Sequence, residues 1–363
     1  MNRLFRWDQT GLFLLALAAG ILPFAVPEVC AAALREGLAL CSGPLLLSLF
    51  PFLVVSRLLI QCPESDLLAL PFRLAAWGIG IRRPCAARVL CIGFLGGFAP
   101  AASAAAQAVR TGQLTAEEAD ALLPACICSG PSFVVLTVGQ SLLGSAELGV
   151  LLFAAQITAN YLTATLLNRF AGVHSVKPGS AAPASPAPPR LDEILADAAI
   201  TYCKLCGFIL FFRMLAAGTG ALLPAGAGTL CSVLLEVCSG CDLASRTGRW
   251  GSLLCCAALS VQGLSVLLQV RTICPPEMTL RPLYRARILH LPLSLALFYL
   301  LLPGGEADVF STLPARVLLM RRVPPDCALL AFLQCAVWQP ALCAVESVKL
   351  NRNRWQEMQV GVV

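Results

Sequence analysis

Charged side chains are scarce in this sequence: Asp, Glu, Lys and Arg together make up 13% of its 363 residues. Soluble domains carry about a quarter charged residues, so this shortage excludes an ordinary soluble domain. Hydrophobic residues make up 58% of the chain, and the mean hydropathy is +0.79. Several apolar runs reach about 18 residues, the length that crosses a bilayer. The composition therefore predicts an all-α polytopic membrane protein whose surroundings are the lipid bilayer.

Histidine is almost missing, with His174 and His290 the two present. The chain has no His-x-x-x-His pair to hold a metal at membrane depth and no Walker A loop to bind a nucleotide phosphate. We therefore expect neither an intramembrane enzyme nor an ATP-driven pump. The net charge of +6 comes from short basic clusters between apolar runs, which predicts cytoplasmic loops and no nucleic-acid partner.

Cysteine is abundant, with 18 residues, and two pairs have C-x-x-C spacing, Cys203/Cys206 and Cys238/Cys241. In a soluble protein this spacing is typical of zinc or redox sites. Most of these cysteines lie inside apolar runs, where cysteine serves as a small packing residue. We therefore predict no metal and no cofactor.

A segment dense in Pro, Ala and Ser, residues 170–190, cannot build a core and predicts a linker. It separates a first membrane repeat with an N-terminal span, residues 1–169, from a second repeat, residues 191–303. The remaining tail, residues 304–363, has a weak candidate span at 326–345 whose crossing the sequence leaves open. We expect about 8–10 transmembrane segments in two related halves.

The two halves share the order of their segments. PFLVVSRLL lines up with GFILFFRML, which places Arg57 opposite Arg213. SGPSFVV lines up with QGLSVLL, so the Gly-x-Ser of 130–132 matches the Gly-x-Ser of 263–265. The shared order predicts an internal repeat.

The orientation of that repeat depends on which segments cross. If every apolar segment crosses, the repeats are parallel; if each Gly-x-Ser segment dips in and returns, they are inverted. The basic loops at 63–88 and 271–287 lie in the cytoplasm in both arrangements. Basic residues near the linker favour the inverted repeat with broken or re-entrant helices.

Four residues between Cys91 and Gly144 are predicted to break helices and to act in gating: Gly96, Gly97, Pro100 and Pro131. Glycine lacks a side chain and proline lacks a backbone donor, so both weaken a continuous helix. Broken backbone persists in lipid only where it is buried in protein or lines a wet cavity. Such breaks therefore indicate the binding site of a transporter.

Four segments of the chain resemble a known family: GFLGGFAPAASAAAQAVRTGQLTAEEADALL, ICSGPSFVVLTVGQSLLGS, LLEVCSGCDLASR and LSVQGLSVLLQV. They are similar, in the same order, to the sporulation integral membrane proteins of the YlbJ type, which belong with the nucleoside-recognition or Gate-domain proteins. The resemblance implies a multi-pass transporter of the inner membrane, in the membrane around the forespore, with dipicolinate as cargo. A nucleoside-like solute, or a membrane assembly factor without cargo, is the alternative.

A small dianion needs backbone amides, hydroxyl groups and positive potential, which the N-termini of half-helices provide. The candidate substrate-binding residues carry such groups at or near the breaks: Ser129, Gly130, Ser132, Thr137, Gln156, Asn160, Gln262, Gly263, Ser265 and Gln269. The alternative is that small polar residues let helices approach closely and hydrogen-bond to one another.

Three charged residues are candidates for balancing the solute's charge or for coupling. Arg57 and Arg213 either face the solute or extend their side chains to the membrane surface. Glu236 is either a proton-coupling carboxylate or an interfacial one.

Thr115 and Glu118 have the spacing of a capping box and predict a helix start with a structural role. The sequence leaves open the coupling ion, the direction of transport and whether the chain forms a homo-oligomer.

Overall fold

The computed structural model describes residues 9–171 and 190–302, and 86% of these residues are helical. Within these two ranges no strand occurs, which confirms the all-α class of a polytopic membrane protein. Residues 172–189 of the predicted linker lie outside the described residues. The whole predicted tail, 304–363, with its candidate span, also lies outside them.

The described residues form α-helices numbered here in chain order, with one π-helix, π1, between the seventh and the eighth. Their bounds are α1 (Gln9–Ala25), α2 (Pro27–Ser42), α3 (Pro44–Gln61), α4 (Leu70–Ile79), α5 (Pro84–Gly96), α6 (Phe98–Arg110), α7 (Ala116–Cys126), π1 (Ser132–Leu142), α8 (Ala146–Ala171), α9 (Leu191–Leu222), α10 (Ala225–Leu235), α11 (Val237–Ser245), α12 (Gly251–Val261), α13 (Gly263–Ile273) and α14 (Arg281–Leu301).

Four segments of the described residues are long and apolar enough to cross a membrane: Pro27–Leu47, Ala146–Ala171, Leu191–Leu222 and Gly248–Ile273. The second and third are the single helices α8 and α9. The fourth contains both α12 and α13, so a break lies inside it. Several other apolar helices are shorter because the chain is interrupted, including α5 and π1.

Helices α5 and α6 fold back on each other as a hairpin whose tip is Gly97, with φ +80°. A Cβ atom on Gly93 would lie 3.2 Å from the Cβ atom of Ala101. Along one straight helix these two residues would lie about 12 Å apart. The positive φ at the tip is one that glycine adopts without steric strain, so the reversal is encoded locally.

Helices α10 and α11 form a second hairpin, whose tip is Glu236. A Cβ atom on Gly240 would lie 2.8 Å from the Cα atom of Val233, a contact that only antiparallel arms allow. The sequence left two arrangements open, one in which every apolar segment crosses and one in which each Gly-x-Ser segment dips in and returns. The structure places the reversal one segment earlier in each half, because the tip residues leave the helical conformation there.

Helices α7 and π1 form one interrupted span, because α8 runs antiparallel along both. Near the end of α8, Asn168 donates from Nδ2 to the carbonyl of Ala121 in α7 at 3.1 Å. Near its start, Gly149 contacts π1 so closely that a Cβ atom on Gly139 would come within 2.5 Å of its Cα atom. The interruption covers residues 127–130.

Acidic and hydroxyl side chains fix the start of α7. Thr115 and Glu118 form the predicted capping box: Thr115 Oγ1 accepts from Glu118 N at 3.1 Å, and Glu118 Oε2 accepts from Thr115 N at 2.9 Å. One turn later, Asp120 accepts from Thr279 N at 2.8 Å and from Leu280 N at 3.1 Å. The capping box confirms the predicted structural role, and Asp120 ties α7 to the loop after α13.

Helices α12 and α13 form the second interrupted span, broken at Gln262 (φ 63°) and Gly263 (φ 70°). Since the loop after α13 contacts Asp120, the end of this span lies beside the start of the α7–π1 span. The two interrupted spans therefore run in opposite directions.

Candidate functional site

Each hairpin tip lies against the break of the interrupted span from the same half. A Cβ atom on Gly97 would lie 2.7 Å from Gly130 N, so the first tip touches the first break. A Cβ atom on Gly263 would lie 3.0 Å from Glu236 N, so the second break touches the second tip. Irregular backbone from four segments is thus gathered inside the protein, which is where a membrane protein tolerates it.

The two breaks are joined to each other at the carbonyl oxygen of Ile127. In a continuous helix this oxygen would accept from the N–H of residue 131, but Pro131 has none. It accepts instead from Gln262 Nε2 at 3.1 Å, Asn160 Nδ2 at 3.3 Å and Arg287 Nη2 at 2.9 Å. A carbonyl freed by the first break therefore binds the residue at which the second span is broken.

Arg287, in α14, places a positive charge at this meeting point. Its side chain is buried, and besides Ile127 it donates to Asn160 Oδ1 at 3.3 Å and Ser260 O at 3.4 Å. All of these acceptors are neutral, and among the described residues no carboxylate pairs with Arg287. Its Nε atom has no hydrogen-bond partner. Buried charges are normally paired, so an unneutralised guanidinium favours an anion at this place.

Unpaired backbone donors lie beside that charge. Neither π1 nor α13 has a capping side chain at its N-terminus. The amides of Ser129 and Gly130 donate to no acceptor among the described residues. The first amides of a helix carry partial positive charge and bind anions. The site therefore offers an anion both amides and a guanidinium.

Comparisons with known proteins assign no family. No protein-family model matches the chain, and no curated protein or solved structure matches it either. The likeness to the YlbJ-type proteins therefore rests on the four quoted segments, and what it implies remains a proposal.

Most predicted substrate-binding side chains lie in the interior near the breaks. The buried ones are Ser129, Gln156, Asn160, Gln262, Ser265 and Gln269. Gly263 is buried as well, and Gly130 is half-buried. Gln262 Oε1 and Gln269 Oε1 have no hydrogen-bond partner, so each retains an unused acceptor.

Three predicted residues have another place or another task. Ser132 is exposed and Thr137 is half-buried, because π1 turns Val134 and Val138 toward the core. Binding of the solute by Ser132 and Thr137 stays a prediction. Gln156 donates to Ser260 Oγ at 2.9 Å and ties α8 to α12, which is the helix-packing role that was the alternative.

The residues predicted to break helices lie at helix ends. Gly96 ends α5, Gly97 forms the hairpin tip, and Pro131 directly precedes π1. Pro100 lies in the first turn of α6. Backbone N–H groups in a first turn have no acceptor within the helix, so proline costs no hydrogen bond there. A Cβ atom on Gly96 would lie 2.9 Å from Pro100 Cγ, so small size is needed there. Gating by these residues stays a prediction.

Glu236 is buried and caps α11. Its carboxylate accepts from Cys238 N at 2.9 Å and from Ser239 N at 2.7 Å. The carboxylate thus lies at a positive helix end, inside the protein. Its role in coupling stays a prediction.

Arg57 and Arg213 form ion pairs that cross between the halves. Arg57 in α3 pairs with Asp197 in α9, and Arg213 in α9 pairs with Glu36 in α2 at 2.8 Å. Each arginine therefore has a carboxylate partner in the other half. The two predicted alternatives, facing the solute or extending to the membrane surface, and the internal repeat itself stay predictions.

Arg287 is the site residue that the sequence analysis missed, because it was assigned to the cytoplasmic loop 271–287. The helix α14 in fact begins six residues before it, at Arg281. Arg287, His290 and Ser294 are all buried and recur at i, i+3 and i+7. Polar residues at helical spacing predict a helix with one buried polar face, so this pattern was the sequence signal for Arg287.

Proposed function

We propose that the chain is a membrane transporter or facilitator for a small organic anion, bound where the two interrupted spans meet. The observation that carries the proposal is Arg287, a buried guanidinium beside the uncapped starts of π1 and α13. No carboxylate of residues 9–171 or 190–302 pairs with this charge, and a carboxylate solute would neutralise it.

The architecture supports transport by an inverted repeat. Each half contributes a hairpin and an interrupted span, the hairpin tip touches the break, and the two interrupted spans run in opposite directions. Discontinuous helices from two inverted repeats form the binding sites of many secondary transporters. An assembly factor without cargo would have no need to join two breaks beside a buried charge.

The cargo that we propose is dipicolinate, carried across the membrane that surrounds the forespore. Its support is the resemblance to the YlbJ-type sporulation proteins, together with the match between a dicarboxylate and a cationic site rich in amide donors. No residue is proposed as catalytic, because the site needs to bind and release its solute without altering it.

Uptake by purified protein in liposomes tests the function. We expect saturable uptake of labelled dipicolinate, and labelled nucleoside at the level of empty liposomes, because Arg287 selects for negative charge. Nucleoside uptake without dipicolinate uptake would favour the nucleoside alternative, and uptake of neither would favour an assembly factor.

Two leucine substitutions provide a matched pair for the same assay. Gly263→Leu would strain a residue with φ +70° and push a side chain toward Glu236 N, so we expect uptake to be lost. Gly20→Leu adds the same side chain at an exposed position of α1, where a Cβ atom would meet nothing within 4 Å, so we expect uptake to be retained. Equal activity of the two variants would contradict the placement of the site.

A further inference from the structure

A separate cavity of about 160 Å³ lies between α3, α6, α9 and α13. Its lining includes three cations, Arg57, Arg110 and Lys204, and one carboxylate, Asp197. Arg57 is paired with Asp197. Arg110 and Lys204 pair with no carboxylate among the described residues, so the cavity has an excess of positive charge.

Gln269 connects this cavity to the second break. It lines the cavity, and its side chain is only 2% exposed. Gln269 Nε2 donates at 2.9 Å to Oγ of Ser265, which lies two residues after Gly263, and Gln269 Oε1 has no partner. A polar group nine-tenths buried and unsatisfied at the cavity wall is the kind of group that a solute would contact.

The volume of the cavity suits one small carboxylate. An apolar cavity of about 150 Å³ holds a benzene ring, so this one accommodates a single six-membered ring or a short chain of similar size. The cations and hydroxyl groups of its wall favour a ring that carries carboxylates over a neutral one.

The cavity lies on the face with the basic loops. It reaches Arg110 at the end of α6 and Ile273 at the end of α13, next to the loop predicted to be cytoplasmic. A second cavity, of about 340 Å³, lies farther along α9 and is lined by Glu36, Arg213 and Asp242. Both carboxylates of that cavity are in ion pairs, Glu36 with Arg213 and Asp242 with Arg246, so the unpaired cations belong to the first cavity.

We propose that the α6–α9–α13 cavity is the cytoplasmic loading site for the anionic solute, which then passes Gln269 and Ser265 to reach the breaks. This rests on the proposed function. Arg110 and Lys204 raise the local concentration of carboxylates at the mouth of the cavity.

Neutralising both cations tests the proposal. In everted membrane vesicles, whose outer surface is the cytoplasmic face, Arg110→Gln/Lys204→Gln should raise the KM for dipicolinate about tenfold and leave kcat unchanged. The difference should shrink in about 0.5 M salt, because exposed charges are then screened. In right-side-out vesicles the KM should stay at the wild-type value.

Arg285→Gln is the matched control, since Arg285 is exposed at the start of α14 and does not line the cavity. If the double variant and this control have the same KM in everted vesicles, the cavity is not the loading site, while the proposed function stands. If wild-type vesicles carry no dipicolinate from either side, the proposed function fails and the loading site fails with it.

Discussion

Replacing Arg287 with methionine should abolish anion uptake while the protein stays folded. Each hydrogen bond from a guanidinium to a bound carboxylate contributes about 1.5–3 kcal/mol, so two such bonds correspond to a loss of at least about 100-fold in kcat/KM. The variant should insert into the membrane normally, since methionine is apolar and of similar length. Uptake of labelled dipicolinate into liposomes, normalised to inserted protein, measures this loss.

The stability of the same variant separates a binding role from a structural one. The Ile127 carbonyl would keep its donors Gln262 and Asn160, so it is not left unpaired. Removing a buried charge also removes its desolvation penalty, and no carboxylate in the described part of the chain loses a partner. We therefore expect the unfolding midpoint in detergent to stay within about 5 °C of the wild-type value.

Arg287→Lys is the control that keeps the charge but loses the bidentate donor geometry of the guanidinium. Lysine binds a carboxylate as a point charge, so uptake should lie between that of the wild type and Arg287→Met. If Arg287→Met retained wild-type uptake, the guanidinium would not be needed to bind the solute. A collapse of the midpoint in both variants would show that Arg287 acts by holding the breaks together.

Gly97→Ala should have the second largest effect, because the residue is constrained twice. Its backbone, with φ 80° and ψ −164°, is in a region that only glycine adopts freely, and strain there is about 1–3 kcal/mol. The added Cβ atom would also lie 2.7 Å from Gly130 N and 2.9 Å from Gly130 Cα. Backbone atoms cannot rotate away, so the tip must separate from the break, and we expect uptake to fall to the level of empty liposomes.

Gly112→Ala is the matched control for strain without contact. Gly112 has φ +71°, but a Cβ atom there would meet nothing within 4 Å. The Gly112→Ala variant should be slightly less stable than the wild type and should keep the wild-type uptake rate. If the two alanine variants transport equally, the contact between hairpin tip and break is not needed for transport.

The positions of the breaks could be predicted from the sequence because their causes are local. Gly97 provides a backbone conformation that other residues avoid, and Pro131 deprives the Ile127 carbonyl of its helical donor. Both effects are properties of single residues. The contact that the tip makes was not predictable in this way, because Gly97 meets the backbone of Gly130, which lies in the break of another span.

Among the charged residues, too, some features were predictable from the sequence and others depended on distant contacts. Aligning the halves placed Arg57 opposite Arg213, and each has a carboxylate partner in the other half. The partners Asp197 and Glu36 could not be foreseen, because ion pairing between distant segments depends on how the halves pack. Arg287 was missed because hydropathy places a cluster of arginines in a loop, whereas its helix had already begun at Arg281.

The position of the bound solute is the measurement that tests the account most directly. A structure of the purified protein in a lipid nanodisc, determined with dipicolinate and without it, would locate the solute. We predict added density beside Arg287, within hydrogen-bonding distance of the amides that begin π1 and α13. Solute density elsewhere, or an uninterrupted helix through residues 127–130 and through Gln262, would contradict the account.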